Sequence, residues 1–426
     1  MSEWKECKLG ELISEGLAEL QTGPFGTMFN ASEYTNHGIP FIAVQDIGEN
    51  KIVSNKLKFI GTETVKRLAK YRVVTNDIIF GRKGSIDRRA LITEKEDGWI
   101  QGSDCIRLRF GDSIDAKFIS YQLGSNKLKE WLIRHSHGAT MPSLNQEILS
   151  LLPFSLPPLP EQRAIAGVLS SLDDKIDLLH RQNATLEALA ETLFRQWFVE
   201  EAAADWEEQT LSSIAEHKRV NVQPNKNPVI MYHHYSIPAF DEKNEPTLES
   251  GAEIQSNKYM VFPDTILISK LNPRFPRIWA IPSVIEDNSI CSTEFQVILP
   301  TDARWYGFIY CLLKSKQVID ELESASGGTS GSHQRVKPED IFNIQFQMPD
   351  KERLAKFDVI TRDFWPKINA NRKQIRTLER LRETLLPKLM RGEVRVGAPS
   401  NLSDRADLSD KADKADMSDE EKRRNR

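Results

Sequence analysis

Two stretches of the chain carry cations at a density suited to anion chemistry. Gly81-Arg82-Lys83-Gly84-Ser85-Ile86-Asp87-Arg88-Arg89 sets four basic residues against one acid. Lys and Arg neutralise phosphates, Arg also grips guanine through two parallel hydrogen bonds, and glycine lets the backbone approach a ligand closely. The candidate contacts here are Arg82, Lys83, Gly84, Ser85, Arg88 and Arg89. The second stretch, Ser269-Lys270-Leu271-Asn272-Pro273-Arg274-Phe275-Pro276-Arg277, offers Lys270, Asn272, Arg274 and Arg277. A solvated turn between strands is the competing reading, because charged turns are common. Two further segments are polar and glycine-containing. Arg134-His135-Ser136-His137-Gly138-Ala139-Thr140 presents His137 and Thr140. Residues 324–335 present Ser332, His333, Gln334 and Arg335. Short polar side chains on such loops can enter a groove and donate to base edges; a plain linker is the alternative.

Catalytic chemistry finds less support. Asn272-Pro273-Arg274-Phe275 approaches the Asn-Pro-Pro-Tyr/Phe motif of amino-methyltransferases, but Arg274 breaks it and no glycine-rich cofactor loop follows a strand. Pro263-Asp264 with Ser269-Lys270 approaches a nuclease Pro-Asp…Glu-x-Lys pattern, yet Ile268 stands where the second metal carboxylate belongs. His135 with His137, and His233 with His234, have no Cys or carboxylate at zinc spacing. The expectation is a chain with no catalytic residue, no metal and no bound cofactor.

The elements that position these loops are duplicated. Trp4-Lys5-Glu6-Cys7-Lys8-Leu9-Gly10-Glu11-Leu12 returns as Trp206-Glu207-Glu208-Gln209-Thr210-Leu211-Ser212-Ser213-Ile214. Asp77-Ile78-Ile79-Phe80-Gly81-Arg82-Lys83 returns as Asp264-Thr265-Ile266-Leu267-Ile268-Ser269-Lys270, and Asp115-Ala116-Lys117-Phe118 as Asp302-Ala303-Arg304-Trp305. Thr185-Leu186-Glu187 returns as Thr377-Leu378-Glu379. The order is kept while the offset drifts, as loop insertions would produce, so a domain and a following helix have been copied. Within the copies, residues 41–44, 77–80, 106–110, 265–268 and 295–299 read as strands, and 116–134 and 306–323 as closing helices. Both domains are expected to be α+β.

After Leu156-Pro157-Pro158-Leu159-Pro160 the pattern changes to alternating steps of four and three: Ile165, Leu169, Leu172, Ile176, Leu179, Asn183, Leu186, Ala190, Leu193, Trp197. The second copy runs Phe357, Thr361, Phe364, Ile368, Asn371, Ile375, Leu378, Arg382, Leu385, Leu389. These are seams of coiled-coil type, each with one asparagine able to fix register. Antiparallel pairing with Asn183 opposite Asn371 uses every seam position; it sets Ile165 against Leu389 and Trp197 against Phe357. A slide of one heptad would leave a buried amide unpaired, at roughly 1–3 kcal/mol. Arg382 would lie opposite Leu172, its stem packed and its head reaching water. Two amphipathic helices in separate cores are the plainer alternative.

Composition sets limits. Net charge is −4, so any anion-binding face must be local rather than global. Apolar runs such as 308–313 are far too short to span a bilayer. The polar start Met1-Ser2-Glu3-Trp4-Lys5 does not read as a signal peptide, and Cys7, Cys105, Cys291 and Cys311 show no close pairing, which suits reduced thiols in the cytoplasm. The tail after residue 396, with Asp at every third position from Asp404 to Asp419, is expected to be disordered.

Gly23-Pro24-Phe25-Gly26 with Tyr34 and Gly38-Ile39-Pro40-Phe41 resembles the opening of a Type I target-recognition domain. Pro157-Pro158-Leu159-Pro160-Glu161-Gln162-Arg163-Ala164-Ile165-Ala166-Gly167-Val168-Leu169, followed by Asp173 and Ile176, resembles the segment leading into that family's first conserved helix; Gly138-Ala139-Thr140-Met141-Pro142-Ser143-Leu144 is also similar. The resemblance, to specificity subunits of Type I restriction-modification systems, covers roughly residues 1 to 396. The second half departs locally, with Pro349-Asp350-Lys351-Glu352-Arg353 where the first has Pro-Leu-Pro-Glu-Gln.

The family implies an α+β fold of two target-recognition domains in pseudo-two-fold arrangement, separated by two long antiparallel coiled-coil-like helices. The boundaries are 1–157 and 204–349 for the domains, 158–203 and 350–396 for the helices, and 397–426 for the tail. It implies a non-catalytic subunit that binds double-stranded DNA, each domain reading one half of a bipartite asymmetric site. The helices would set the spacing and dock two modification (methyltransferase) subunits that bind S-adenosylmethionine, with motor-nuclease restriction subunits joining in some complexes. Residues 165–197 would span about 50 Å at about 1.5 Å per residue, near one to one and a half turns of duplex. Against this stand a stand-alone DNA methyltransferase or nuclease, and a coiled-coil interaction scaffold.

Overall fold

Apolar β-formers buried on both faces build the centre of each copy. Ile78, Ile79 and Phe80 are all buried, as are Ile266, Leu267 and Ile268. The structure, a computed structural model, describes residues 4–25, 28–53, 57–138, 142–326 and 334–396. It divides into two compact units, one holding the chain up to Lys175 together with the part from Leu378 onward, the other Ile176–Thr377.

In the first unit a five-stranded sheet has the order Ala18–Thr22, Cys105–Phe110, Ile78–Gly81, Arg89–Leu91, Glu49–Asn50. Only the last pair is parallel. A second sheet runs Tyr34–Thr35, Lys58–Ile60, Ile39–Ile42, Ile100–Gln101, and Lys5–Lys8 pairs with Pro153–Leu156. The second unit repeats the scheme. Ala215–His217, Phe295–Pro300, Ile266–Ser269 and Ile278–Ala280 form an antiparallel sheet. Asn221–Val222, Lys258–Met260, Ser289–Ser292, Met231–Tyr235 and Thr247–Ser250 form the other sheet, and Glu208–Thr210 pairs with Gln345–Gln347.

Each closing helix of the sequence reading is two helices. Ala116–Leu123 gives way to Asn126–His135 at Gly124 and Ser125, and Trp305–Lys314 gives way to Lys316–Ala325 at Ser315. Ser125 and Ser315 each accept from the third residue of the following helix, Leu128 and Val318, satisfying a terminal N–H. The break also separates two environments. Phe118 and Ile119 lie on a helix buried nearly all round, whereas Leu128 and Leu132 are the buried stripe of a half-exposed one.

The first long helix, Leu159–Arg195, ends in a π turn at Gln196–Glu200. The second is not continuous: Lys351–Thr361 stops and Phe364–Met390 restarts. Pro366 is the third residue of the restart, where its missing N–H costs nothing; in an unbroken helix it would delete a hydrogen bond and clash with the carbonyl four residues back. Nor are these helices free-standing spacers. Ile165, Leu169 and Leu389 share one core with Leu9, Phe118 and Phe154, and Ala190, Phe194, Phe357 and Ile368 share another with Ile266 and Phe308. Burial of that seam on the sheet domains draws the unit boundary through the helices rather than at their ends.

In the second unit the helices run antiparallel, with Asn371 Nδ2 donating to Asn183 Oδ1 at 2.8 Å and the Trp197 and Phe357 rings 6.4 Å apart. In the first unit the half-buried Arg382 reaches the surface as expected, and its head is also held by an acid. Arg382 donates to Asp173 at 2.6 Å, and Tyr121 Oη donates to the other Asp173 oxygen, also at 2.6 Å. All four cysteines are buried, unpaired thiols. Among the described residues no helix is long and apolar enough to cross a membrane.

Candidate nucleic-acid interface

Both basic stretches are the tips of hairpins in the central sheets. In the first unit, Ile78–Gly81 pairs antiparallel with Arg89–Leu91, leaving 82–88 as the tip; in the second, Ile266–Ser269 pairs with Ile278–Ala280, leaving 270–277. The tips turn alike. Gly84 has φ +77° and Asn272 has φ +54°, the left-handed region that glycine and asparagine enter most readily.

The polar segments after the closing helices are bonded to those tips. Leu144 N donates to Arg82 O at 2.8 Å and Gly84 N to Pro142 O at 3.0 Å; Val336 N donates to Lys270 O at 3.0 Å and Asn272 N to Gln334 O at 2.9 Å. Residues 82 and 84 thus relate to 144 and 142 as 270 and 272 relate to 336 and 334. Within each unit the structure joins two surfaces that the sequence left apart.

The side chains differ in what they are free to do. Lys83, Gly84, Ser85 and Arg88 are exposed, anchored by buried Ile86 between them. Neither Lys83 nor Arg88 makes an ion pair among the described residues. Arg82 donates to Asp104 at 2.7 Å and lies over the Phe25 ring. Arg89 must be withdrawn as a contact. It is 5% exposed, its Nε donates to Ser120 O at 2.6 Å, and burial pulls its guanidinium down to about 10. Arg89 opens the strand Arg89–Leu91, all of whose residues are buried, whereas Arg88 still lies on the exposed tip. His137 is exposed and its backbone exchanges two hydrogen bonds with Ser143. Thr140 lies outside the described residues.

In the second unit Arg274 is exposed and Lys270 and Asn272 half-buried. Arg277 is committed to Asp241 through two bonds of 2.7 and 2.8 Å, and Arg335 to Glu294 through bonds of 3.2 and 2.9 Å. Gln334 is half-buried, and Ser332 and His333 lie outside the described residues. The acids were missed by the sequence reading. Asp104 and Glu294 are structural counterparts, since the backbone N–H groups of Arg82 and Lys270 donate to their carbonyls at 2.7 and 2.8 Å, yet the first holds Arg82 and the second Arg335. The available signal was an acid just ahead of the strands beginning at Cys105 and Phe295, present in both copies.

The broken catalytic motifs are turns here. Asn272 to Phe275 is a hairpin tip closed by Phe275 N donating to Asn272 O at 3.0 Å, and Asp264 sits at φ +55° ahead of a strand. His234 is tied to Glu249 at 3.1 Å, and among the described residues no group of three or more His, Cys, Asp or Glu is placed to hold a metal ion.

Residues 1–188 match the family model described as the Type I restriction modification DNA specificity domain. That match covers the first part of the chain, and the chain as a whole is similar to Type I restriction enzyme specificity subunits. Over 319 residues it is 26% identical to the Type I restriction enzyme MjaIX specificity subunit of Methanocaldococcus jannaschii, covering 67% of this chain and 70% of that one. Over 204 residues it is 27% identical to the HindI specificity subunit of Haemophilus influenzae, covering 47% and 42%. The solved Type I restriction-modification S subunit of M. genitalium shares the fold, with a TM-score of 0.60 over 91% of this chain and 96% of that one at 19% identity. In each unit it is the backbone bonding that sets the hairpin tip in the same frame.

Proposed function

We propose that the chain is the non-catalytic DNA-reading subunit of a Type I restriction-modification complex, each unit reading one half of a bipartite, asymmetric site. One observation carries the reading. The backbone that pins each hairpin tip is the same in both units, while the cations it presents are different: Lys83 and Arg88 in one, Lys270 and Arg274 in the other. A common frame with exchanged side chains suits two readers of two different sequences. With a net charge of −4, these local cations supply only part of the grip. Two methyltransferase subunits, which would carry S-adenosylmethionine, dock on the long helices and supply the rest; motor-nuclease subunits join where a restriction activity exists. The complex acts on DNA in the cytoplasm.

Mapping methylated adenines in cells carrying this chain and a modification subunit tests the proposal. A split motif with a fixed gap is expected. Lys83→Ala with Arg88→Ala should impair recognition of one half only. Equal damage to both halves, or absence of any site-specific protection by the reconstituted complex, would overturn the two-reader model. Binding of labelled S-adenosylmethionine by the pure single chain would favour an enzyme instead.

A further inference from the structure

Among the described residues only two aromatic side chains are exposed: Phe25, at 48%, and Phe275, at 59%. One belongs to each unit, and each lies against an arginine of its own basic hairpin. The Arg82 guanidinium is 4.7 Å from the Phe25 ring centre, and the Arg274 guanidinium is 5.9 Å from that of Phe275. Each ring is also next to a proline, Pro24 or Pro276, whose fixed φ stiffens the backbone that holds it. Single exposed aliphatic side chains are ordinary on any protein surface. An exposed phenyl stands beside the cationic tip in both units, supplied by different elements: Phe25 follows the strand Ala18–Thr22, and Phe275 is on the tip itself.

A phenyl ring gains nothing from a phosphate. It gains from the thymine methyl group in the major groove or from the face of an unstacked base. Its arginine neighbour stays oriented for the backbone or a base edge, and in the first unit Asp104 fixes that neighbour from behind. We propose that Phe25 and Phe275 are base-contacting, specificity-determining residues, each placing its ring on apolar base surface within its own half-site. This inference rests on the DNA-reading function proposed above.

The test uses the full complex with its methyltransferase subunits, a duplex carrying the mapped site and a duplex lacking it. Phe25→Ala and Phe275→Ala remove exposed atoms, so both chains should fold and assemble as the wild type does. Each should weaken binding to the cognate duplex about tenfold, the scale of one good base contact. Binding to the non-cognate duplex, and the slope of log affinity against log salt, should not change, because no phosphate contact is lost. Phe25→Ala should relax methylation in one half of the motif and Phe275→Ala in the other. The inference is overturned if the cognate preference is unaltered, if both duplexes lose affinity equally, or if assembly with the methyltransferase subunits fails instead. Lys83→Ala with Arg88→Ala in the same assay separates the two levels. If it weakens binding while the phenylalanine variants do nothing, DNA reading stands and this inference alone falls. If the wild-type complex shows no preference for the cognate duplex, the functional reading falls and takes the inference with it.

Discussion

Replacing Asn371 with leucine should destabilise the second unit, and replacing Asn183 as well should undo most of the damage. Asn183 is 8% exposed and Asn371 1%, and their 2.8 Å hydrogen bond satisfies each against the other. Asn371→Leu leaves the Asn183 carbonyl oxygen without its donor, at a cost of ~1–3 kcal/mol for a buried polar group. Asn183→Leu should sit toward the top of that range. It strands the more deeply buried amide, whose other neighbour, Gln182 Oε1, is 3.5 Å away, at the edge of hydrogen-bonding distance. The double variant removes both partners and continues the apolar seam of Leu179 and Ile375, both buried, so it should be near neutral or more stable. Its loss appears in register, because a slide of one heptad no longer strands an amide. Urea unfolding of the full chain, read by hydrogen exchange in the seam, follows the second unit without forcing two units into one transition. A Leu179→Cys, Ile375→Cys pair should cross-link in the parent and lose selectivity in the double asparagine variant. If the two single costs simply add in the double variant, the bond does not carry the energy assigned to it.

Three further outcomes are expected. Arg89→Ala should cost ~2–3 kcal/mol of stability, because it removes a charged donor from the buried Ser120 carbonyl, while DNA affinity per folded molecule stays unchanged in titrations checked by melting. Asp104→Asn and Glu294→Gln release Arg82 and Arg335, so non-specific DNA affinity should rise and the salt slope steepen by about one phosphate's worth in each case. Burial holds the His217 and His234 imidazoles below their ordinary value of 6.5, so the unfolded chain takes up their protons first; second-unit stability should fall as pH drops below that value. His234→Gln should flatten that dependence, and an unchanged pH profile would show that His234 contributes nothing to it.

The sequence made the repeat, the strands and the helix seam legible because each is written in local periodicity. Residues 77–80, 106–110 and 295–299 fall on strands of the central sheets, shifted by a residue at most at either end. The paired seam was legible because Asn183 and Asn371 are the only amides among seam positions that, Arg382 apart, are apolar or small, and one alignment satisfies both. The breaks at Ser125, Ser315 and Pro366 carried local signals, capping serines and a proline, that the longer periodic pattern overrode. Arg89 was misassigned because charge alone does not say where the exposed tip ends and the wholly buried strand Arg89–Leu91 begins. Thr140, Ser332 and His333 fall outside the described residues, so nothing about them was decided.

The sequence by itself determined that two copies of one domain carry two basic tips, and that the helices between and after them share a register. Only tertiary structure decided which cations are available. Asp104, Asp241, Glu294 and the Ser120 carbonyl claim Arg82, Arg277, Arg335 and Arg89 from positions 22 to 41 residues away along the chain. It also decided that the segments after the closing helices join the hairpin tips, through backbone bonds that leave no side-chain trace in the sequence. The physical reason is the same in both cases. Periodicity reports which face of an element is buried, but an ion pair or a strand-edge bond depends on what folding brings next to that face.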